Sequence, residues 1–347
     1  MIPSKHFLVC PLEWGLGHAA RCIPIIRTLL DQNHRVTIAA DGTPADLLRE
    51  EFPNLPLVRL LGYGIRYPAS GNMAMAMALQ MPKLLAGAIR EHVRLGQLIR
   101  DLAIDTVISD SRFGLFNKHV QSIYITHQLT IKFPRGLSLF EPLLARFHRT
   151  LIERYDECWI PDLPDEPNLA GELSHPRRLP SNAKFIGPLS RMSREAAPGE
   201  SCNLLIVLSG PEPQRTIFEK TILAQVSQAV DLKIILIRGV TGKPSEWQKQ
   251  GNVKLCSYLT SGQLNRLMLS AKMILTRPGY STIMDLAALG KKAILIPTPG
   301  QTEQEYLATR LKKKMIFYSE PQKEFGLSRC LRAAKDYSGI TLHDGND

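Results

Sequence analysis

Short apolar, β-branched runs alternate with longer stretches of helical spacing along the chain. Strand candidates in the first half fall at 6–10 (HFLVC), 35–40 (RVTIAA), 57–61 (LVRLL), 104–109 (IDTVIS), 121–126 (QSIYIT) and 156–160 (DECWI). The second half offers 203–209 (NLLIVLS), 232–238 (LKIILIR), 252–256 (NVKLC), 272–276 (KMILT), 292–296 (KAILI) and 315–318 (MIFY). Runs apolar on both faces, joined by helical stretches, predict α/β domains with parallel sheets covered by helices. The alternation breaks once, at PDLPDEPNLAGELSHPRRLPSN (161–182), which has five prolines and no period. That break predicts two doubly wound, Rossmann-like domains facing each other across a cleft. The expected division is 1–160, a linker or excursion at 161–190, a second domain at 191–318, and 319–347 as a C-terminal helix packing back on the first domain, with a tail.

In open parallel sheets, ligands bind beyond the carboxyl ends of the strands, so the loops there matter most. The first is PLEWGLGHAAR (11–21). Gly15 and Gly17 suit a tight strand-to-helix turn, and His18 falls at the helix start, where the dipole favours a neutral imidazole. Ala20 breaks the GxGxxG pattern, although Asp41 does follow the next strand. A nucleotide loop, a mounted base and a plain glycine turn are the three readings. Asp110, in VISDSRFG (107–114), closes a later strand and could orient an imidazole, fixing its tautomer. His127, in YITHQLT, follows another strand and competes for the same work.

In the second half, TRPGYSTIMDLAALG (276–290) turns at Pro278–Gly279 and starts a helix near Ser281–Thr282. Hydroxyls and free amides there make an anion site, and Asp285 is expected in the first turn, able to accept from a sugar diol. QTEQEYLATR (301–310) is a second polar helix start. A Ser/Thr cap with an acid close behind is also ordinary structure. In VLSGPEPQR (207–215), Pro211 and Pro213 remove amide donors, Arg215 restores positive charge, and Arg238 reaches the same edge.

RPGYSTIMDLAALGKKAILIPTPGQTEQEYLA resembles the donor-binding stretch of GT-B glycosyltransferases, closest to the family-28, MurG-like group. The resemblance implies a GT-B fold and a UDP-sugar donor. Gly279, Ser281 and Thr282 would meet the diphosphate, Asp285 the ribose and Gln304 the sugar. Ser209 and Gly210 match the family's glycine-rich loop, and Tyr258 and Leu259 its base-reading turn. The family usually has Glu where Asp285 stands. GLGHAAR resembles the GxGHxxR stretch of nucleotide-sugar hydrolases of the pseudaminic-acid pathway, which share this fold. It implies His18 as the functional histidine, and the likeness to GT-B transferases, in which an aspartate from a later strand end orients that base, implies Asp110 as its partner. The resemblance follows element order over most of the chain but is specific only in about fifty residues of the second domain and the first loop.

The net charge of +11 favours anionic partners. Six scattered cysteines form no CxxC pair, which reads as reduced thiols in a cytoplasmic protein. The N-terminus lacks the pattern of a signal peptide, and no run approaches the ~20 apolar residues of a spanning helix. The stretch 71–102, with Met73, Met75, Met77 and Met81, continues into Leu85, Ile89 and Val93 beside Lys83, Arg90 and Arg94. It suits a greasy, lipid-linked acceptor at an anionic membrane face, as does the basic segment 132–154; both read equally as core helices. The leading function is transfer from a UDP-sugar to an acceptor hydroxyl, possible on a cell-envelope glycan, without an obligatory metal or cofactor since there is no DxD motif. A hydrolase of the same fold is the alternative. A nucleic-acid binder is disfavoured by the absence of any basic-aromatic cluster.

Overall fold

A computed structural model describes residues 3–65, 79–132, 141–210, 212–227, 229, 231–241 and 246–340. The chain divides into two compact units, Met1–Leu189 and Ser190–Asp347.

The first unit is built on a seven-stranded parallel sheet of order β3-β2-β1-β4-β5-β6-β7. Its strands are β1 (His6–Pro11), β2 (Arg35–Ala40), β3 (Leu57–Arg59), β4 (Thr106–Asp110), β5 (Gln121–Ile125), β6 (Glu157–Ile160) and β7 (Ala183–Phe185). β1 is buried along its whole length, as a central strand flanked by β2 and β4 must be. Helices α1 (Leu16–Asp31), α2 (Gly42–Glu51), α3 (Met81–Leu102) and α4 (Glu141–Ile152) connect strands. The proline-rich segment is part of this unit and not a linker. Asp162, fully buried, gathers it by accepting from the N–H groups of Leu163, Leu169 and Ala170 and from Ser174 Oγ. It then supplies β7, which pairs with β6. Buried carboxylates are stable only when satisfied in this way, and five prolines do not prevent it.

The second unit is a sheet of order β10-β11-β9-β8-β12-β13-β14, parallel except for the edge pair β10·β11. Its strands are β8 (Cys202–Val207), β9 (Ile234–Ile237), β10 (Gln248–Gln250), β11 (Val253–Cys256), β12 (Ala271–Thr276), β13 (Ala293–Leu295) and β14 (Tyr318–Ser319). Helices α5 (Gln214–Val226), α6 (Ser261–Ser270), α7 (Tyr280–Leu289), α8 (Thr302–Lys313) and α9 (Leu327–Ala333) complete it. Local signals set their ends. Thr260 and Gln263 close α6 with a reciprocal capping box, and Gly290 in the left-handed region ends α7. Met315 turns at φ 56, so the strand expected at 315–318 starts at Tyr318 instead. The C-terminal helix, expected against the first domain, packs on its own unit: Phe325, Leu327, Cys330 and Tyr337 join Phe218 and Ile222 in one core. Gln225 clamps it by donating to Phe325 O and accepting from Leu327 N–H.

In each sheet the connections reverse direction at one place, between β1 and β4 in the first unit and between β8 and β12 in the second. Loops diverge at such a reversal, which makes it the natural ligand position of an open α/β sheet.

Candidate active site

At the first reversal the loops after β1 and β4 bring together His18 and Asp110, ninety-two positions apart. Gly15 carries the chain into α1 at φ 89, a conformation that a side chain would strain. Gly17, expected in the turn, lies inside the helix. His18 is the third residue of α1, its side chain 19 % exposed, and its Nδ1 stands 2.9 Å from Asp110 Oδ1. Asp110, the last residue of β4, is completely buried. Burial raises its carboxyl, but the Arg21 guanidinium, then His18, outweigh that and hold it well below the usual carboxylate range.

Arg21 organises the cluster, and sequence reasoning did not single it out. It is buried, donates through Nε and Nη2 to both carboxylate oxygens of Asp110, reaches Ser111 Oγ at 3.1 Å, and lies 2.9 Å from His18 Nδ1. Arginine only donates, and the carboxylate only accepts. His18 Nδ1 thus faces one group that can only donate and one that can only accept, and the tautomer that gives its Nδ1 proton to Asp110 is the one that leaves the Nε2 lone pair as a base. No partner of Nε2 occurs among the described residues. Arg21 Nη1 lies 3.1 Å from His127 Nδ1, which must accept there, so the His127 proton is on Nε2. His127 belongs to the cluster but does not carry the base's lone pair. The signal for Arg21 was its place one helical turn after His18.

A second buried pair steadies this edge. Arg112, fully buried, donates from Nε to Glu91 Oε1 (2.7 Å) and from its Nη groups to the carbonyls of Pro11, Leu60 and Leu61. Tyr63 donates to Glu91 at 2.7 Å. The loop carrying Asp110 is thereby tied to those after β1 and β3.

The face of α3 is the reverse of a core reading for 85, 89 and 93. Gly87, Glu91, Leu95 and Leu98 are buried, whereas Met81, Leu85, Ile89 and Val93 form an exposed apolar row, one residue per turn. On α4, Leu143 and Phe147 are also exposed. Met73, Met75 and Met77 lie outside the described residues, as do 133–140. Among the described residues no helix is long and apolar enough to cross a membrane.

In the second unit, α7 starts at Tyr280 after Gly279, with no side-chain cap and no acid in its first turn. Ser281 and Thr282 occupy that turn, as expected. Asp285 does not: it is the sixth helical residue, in the second turn. It accepts from Ser190 Oγ at 2.7 Å and lies 3.8 Å from Arg191 Nε. Burial raises its carboxyl, and Arg191 with Ser190 offsets that only in part. The carboxylate thus fastens the start of this unit to α7, with Ser190 and Arg191 as its side-chain partners.

Gln304 in α8 accepts from Thr298 N–H at 2.8 Å, which leaves its amide N–H groups without a partner among the described residues. Ser209 and Gly210 follow β8, with Gly210 at φ 103; Pro211 lies outside the described residues. Arg215 is not an unpaired cation. Glu212 and Glu219 both take its guanidinium, and Glu219 also accepts from Arg238 Nε at 2.7 Å. Glu212 further accepts from Thr216 N–H, covering the start of α5. Arg238 and the turn at Tyr258 meet through backbone bonds, Arg238 N–H to Cys256 O and Val240 N–H to Ser257 O. Gly239 is required there, because a Cβ would stand 2.3 Å from Leu208 O. Tyr258 and Leu259 are themselves buried. Thus α7 starts without a side-chain cap, as α8 does, and both are helix starts that the sequence marked.

Two such units with sites at their strand reversals define the GT-B glycosyltransferase fold. Solved structures of that class match nearly the whole chain: the calicheamicin glycosyltransferase CalG4 at a TM-score of 0.63 and 13 % identity, covering 97 % of this chain and 90 % of that one. The glycosyltransferase SnogD from Streptomyces nogalater gives 0.59 and 16 %, covering 97 % and 92 %. An uncharacterized glycosyltransferase of Methanosarcina mazei is 25 % identical over 331 residues, 88 % of this chain and 84 % of its own length. Residues 206–331 match the glycosyltransferase family 28 C-terminal domain. The chain thus has the GT-B fold, and its likenesses are to glycosyltransferases, with the family 28 similarity confined to residues 206–331 of the second unit.

Proposed function

We propose that the protein moves a sugar from a UDP-linked donor to an acceptor hydroxyl. The observation that carries this reading is the His18–Asp110 pair, with no partner for the imidazole's Nε2 among the described residues. His18 Nε2 takes the acceptor's proton, and Asp110, held ionised by Arg21, stabilises the imidazolium that forms. The oxygen so freed attacks the anomeric carbon, and the nucleoside diphosphate leaves. The uncapped start of α7, with Ser281 and Thr282, holds that diphosphate, and the Gln304 amide contacts the sugar. Arg215 and Arg238 are both matched by Glu212 and Glu219, so the backbone of the α7 start rather than these guanidinium groups carries the diphosphate in this reading.

The acceptor in this reading is lipid-linked and is met at an anionic membrane face. Its support is the exposed row Met81, Leu85, Ile89 and Val93 with Lys83, Arg90 and Arg94 on the same helix.

Thermal-shift measurements with UDP, GDP, dTDP and CMP test the donor, and UDP is expected to raise Tm most. Flotation with phosphatidylglycerol vesicles tests the acceptor side: Leu85, Ile89 and Val93 replaced together by Gln should release the protein while UDP binding persists. Full-rate release of free sugar without any acceptor would instead identify a hydrolase.

A further inference from the structure

Other deeply buried arginines in this chain stand against carboxylates: Arg21 against Asp110 and Arg112 against Glu91. Arg277 does not. It is 1 % exposed, and its Nη1 donates to Ile296 O and Pro297 O, both at 3.0 Å. Nη2 donates to Gln214 O at 3.4 Å and Gln322 Oε1 at 2.6 Å. Its Nε is buried without a hydrogen-bond partner among the described residues, and its guanidinium carbon lies 3.9 Å from the centre of the Phe218 ring. None of these acceptors is an anion. Burial alone acts on the guanidinium, pushing it down to about 9, so it remains charged at neutral pH.

A cation taken out of water with no counter-charge is strongly disfavoured, and neutral donors could have satisfied four oxygens. The location explains the charge. Arg277 follows the last residue of β12 and precedes Pro278–Gly279, the entry to α7. Its guanidinium reaches under Gln214, the first residue of α5, and under the end of β13. It therefore lies beneath the β8/β12 reversal, where the donor's diphosphate is proposed to sit.

We propose that Arg277 is the buried counter-charge of the donor diphosphate, acting from beneath the start of α7 without touching the phosphates. The inference rests on the donor reading above. In the low-dielectric core its field reaches further than a surface cation's, and no carboxylate among the described residues quenches it. Binding the anion supplies the missing partner. Its bonds to three strand-end loops set those loops in place beforehand, so that little reorganisation accompanies binding.

Gln322→Glu tests this without removing a bond, since it places a carboxylate on Arg277 Nη2. Full-length wild type, Gln322→Glu and Arg277→Gln are titrated with UDP and with uridine, and thermal unfolding verifies the fold. Both variants should bind UDP at least tenfold more weakly and uridine within twofold of wild type. Gln322→Glu, which completes an ion pair, should unfold no earlier than wild type. UDP affinity within twofold of wild type in Gln322→Glu overturns the proposal, as does an equal loss of UDP and uridine. If wild type binds neither UDP nor GDP, dTDP or CDP, the donor reading falls and takes this proposal with it.

Discussion

The strand reversals of the two units handle charge in opposite ways. At the first, one buried carboxylate is matched by one buried guanidinium, and the imidazole between them is left to move a proton. At the second, a buried guanidinium has no carboxylate partner among the described residues and stands three residues before α7, whose start has no side-chain cap. A closed charge set suits proton chemistry, because the groups keep their states through a cycle. An open one suits binding of an anion brought from outside. The ion pairs nearby sharpen the contrast: Glu212 and Glu219 neutralise Arg215, yet no acid reaches Arg277 among the described residues.

Breaking the first site should have the largest effect. His18→Ala is expected to lower turnover by about 10²–10⁴-fold, the usual worth of a general base, with UDP affinity within twofold of wild type. Steady-state rates beside calorimetric titration separate the two, and near-normal turnover would reduce the opening loop to a turn. Asp110→Asn leaves Arg21 buried without its counter-charge, which should destabilise the protein by about 3–5 kcal/mol in urea unfolding. A loss below about 1 kcal/mol would mean the first site is not charge-closed.

Acid sensitivity should belong to the first unit as well. Eight of the nine histidines precede residue 190. His148, buried against Phe113, is pushed from 6.5 down to about 4 by burial, which a bond to the Leu129 backbone only partly opposes. The unfolded chain therefore binds this proton below about pH 6.5 while the folded chain stays neutral. The stabilising effect is complete above that pH and is lost as pH falls toward about 4, at no more than about 1.4 kcal/mol per unit. His148→Phe should flatten that part of a stability-against-pH curve; an unchanged slope would assign the acid sensitivity elsewhere.

The smallest effect is expected at the open site. Removing the Gln304 amide by Gln304→Ala should weaken UDP-sugar binding by about 0.5–1.5 kcal/mol, the net worth of a neutral hydrogen bond, and leave UDP itself almost unaffected. Equal losses for both ligands would place Gln304 away from the sugar.

The strand runs determined much of this by themselves. Largely apolar segments such as HFLVC and NLLIVLS read as interior parallel strands, and helical spacing between them leaves few topologies. The helix starts at His18 and Ser281 were legible for the same local reason: glycine, proline and hydroxyl residues act on their own few peptide units. The three-residue edge strands β7 and β10 were not legible, since pairing with a neighbour creates them.

What only the tertiary structure decided is which charges meet. Sequence placed Asp285 and Arg215 among donor ligands, yet Ser190 and Arg191 engage the first, and Glu212 and Glu219 the second. It passed over Arg21 and Arg277, though each stands within three positions of a residue it named. Exposure decided the rest: Leu85, Ile89 and Val93 share helical spacing with a core stripe, but α3 turns Glu91 inward to meet Arg112 and leaves them outside. Periodicity gives a helix its faces, whereas the partner waiting in the core selects which face is buried. Ion pairing behaves likewise, because its energy depends on distance and desolvation between residues that the chain holds many positions apart.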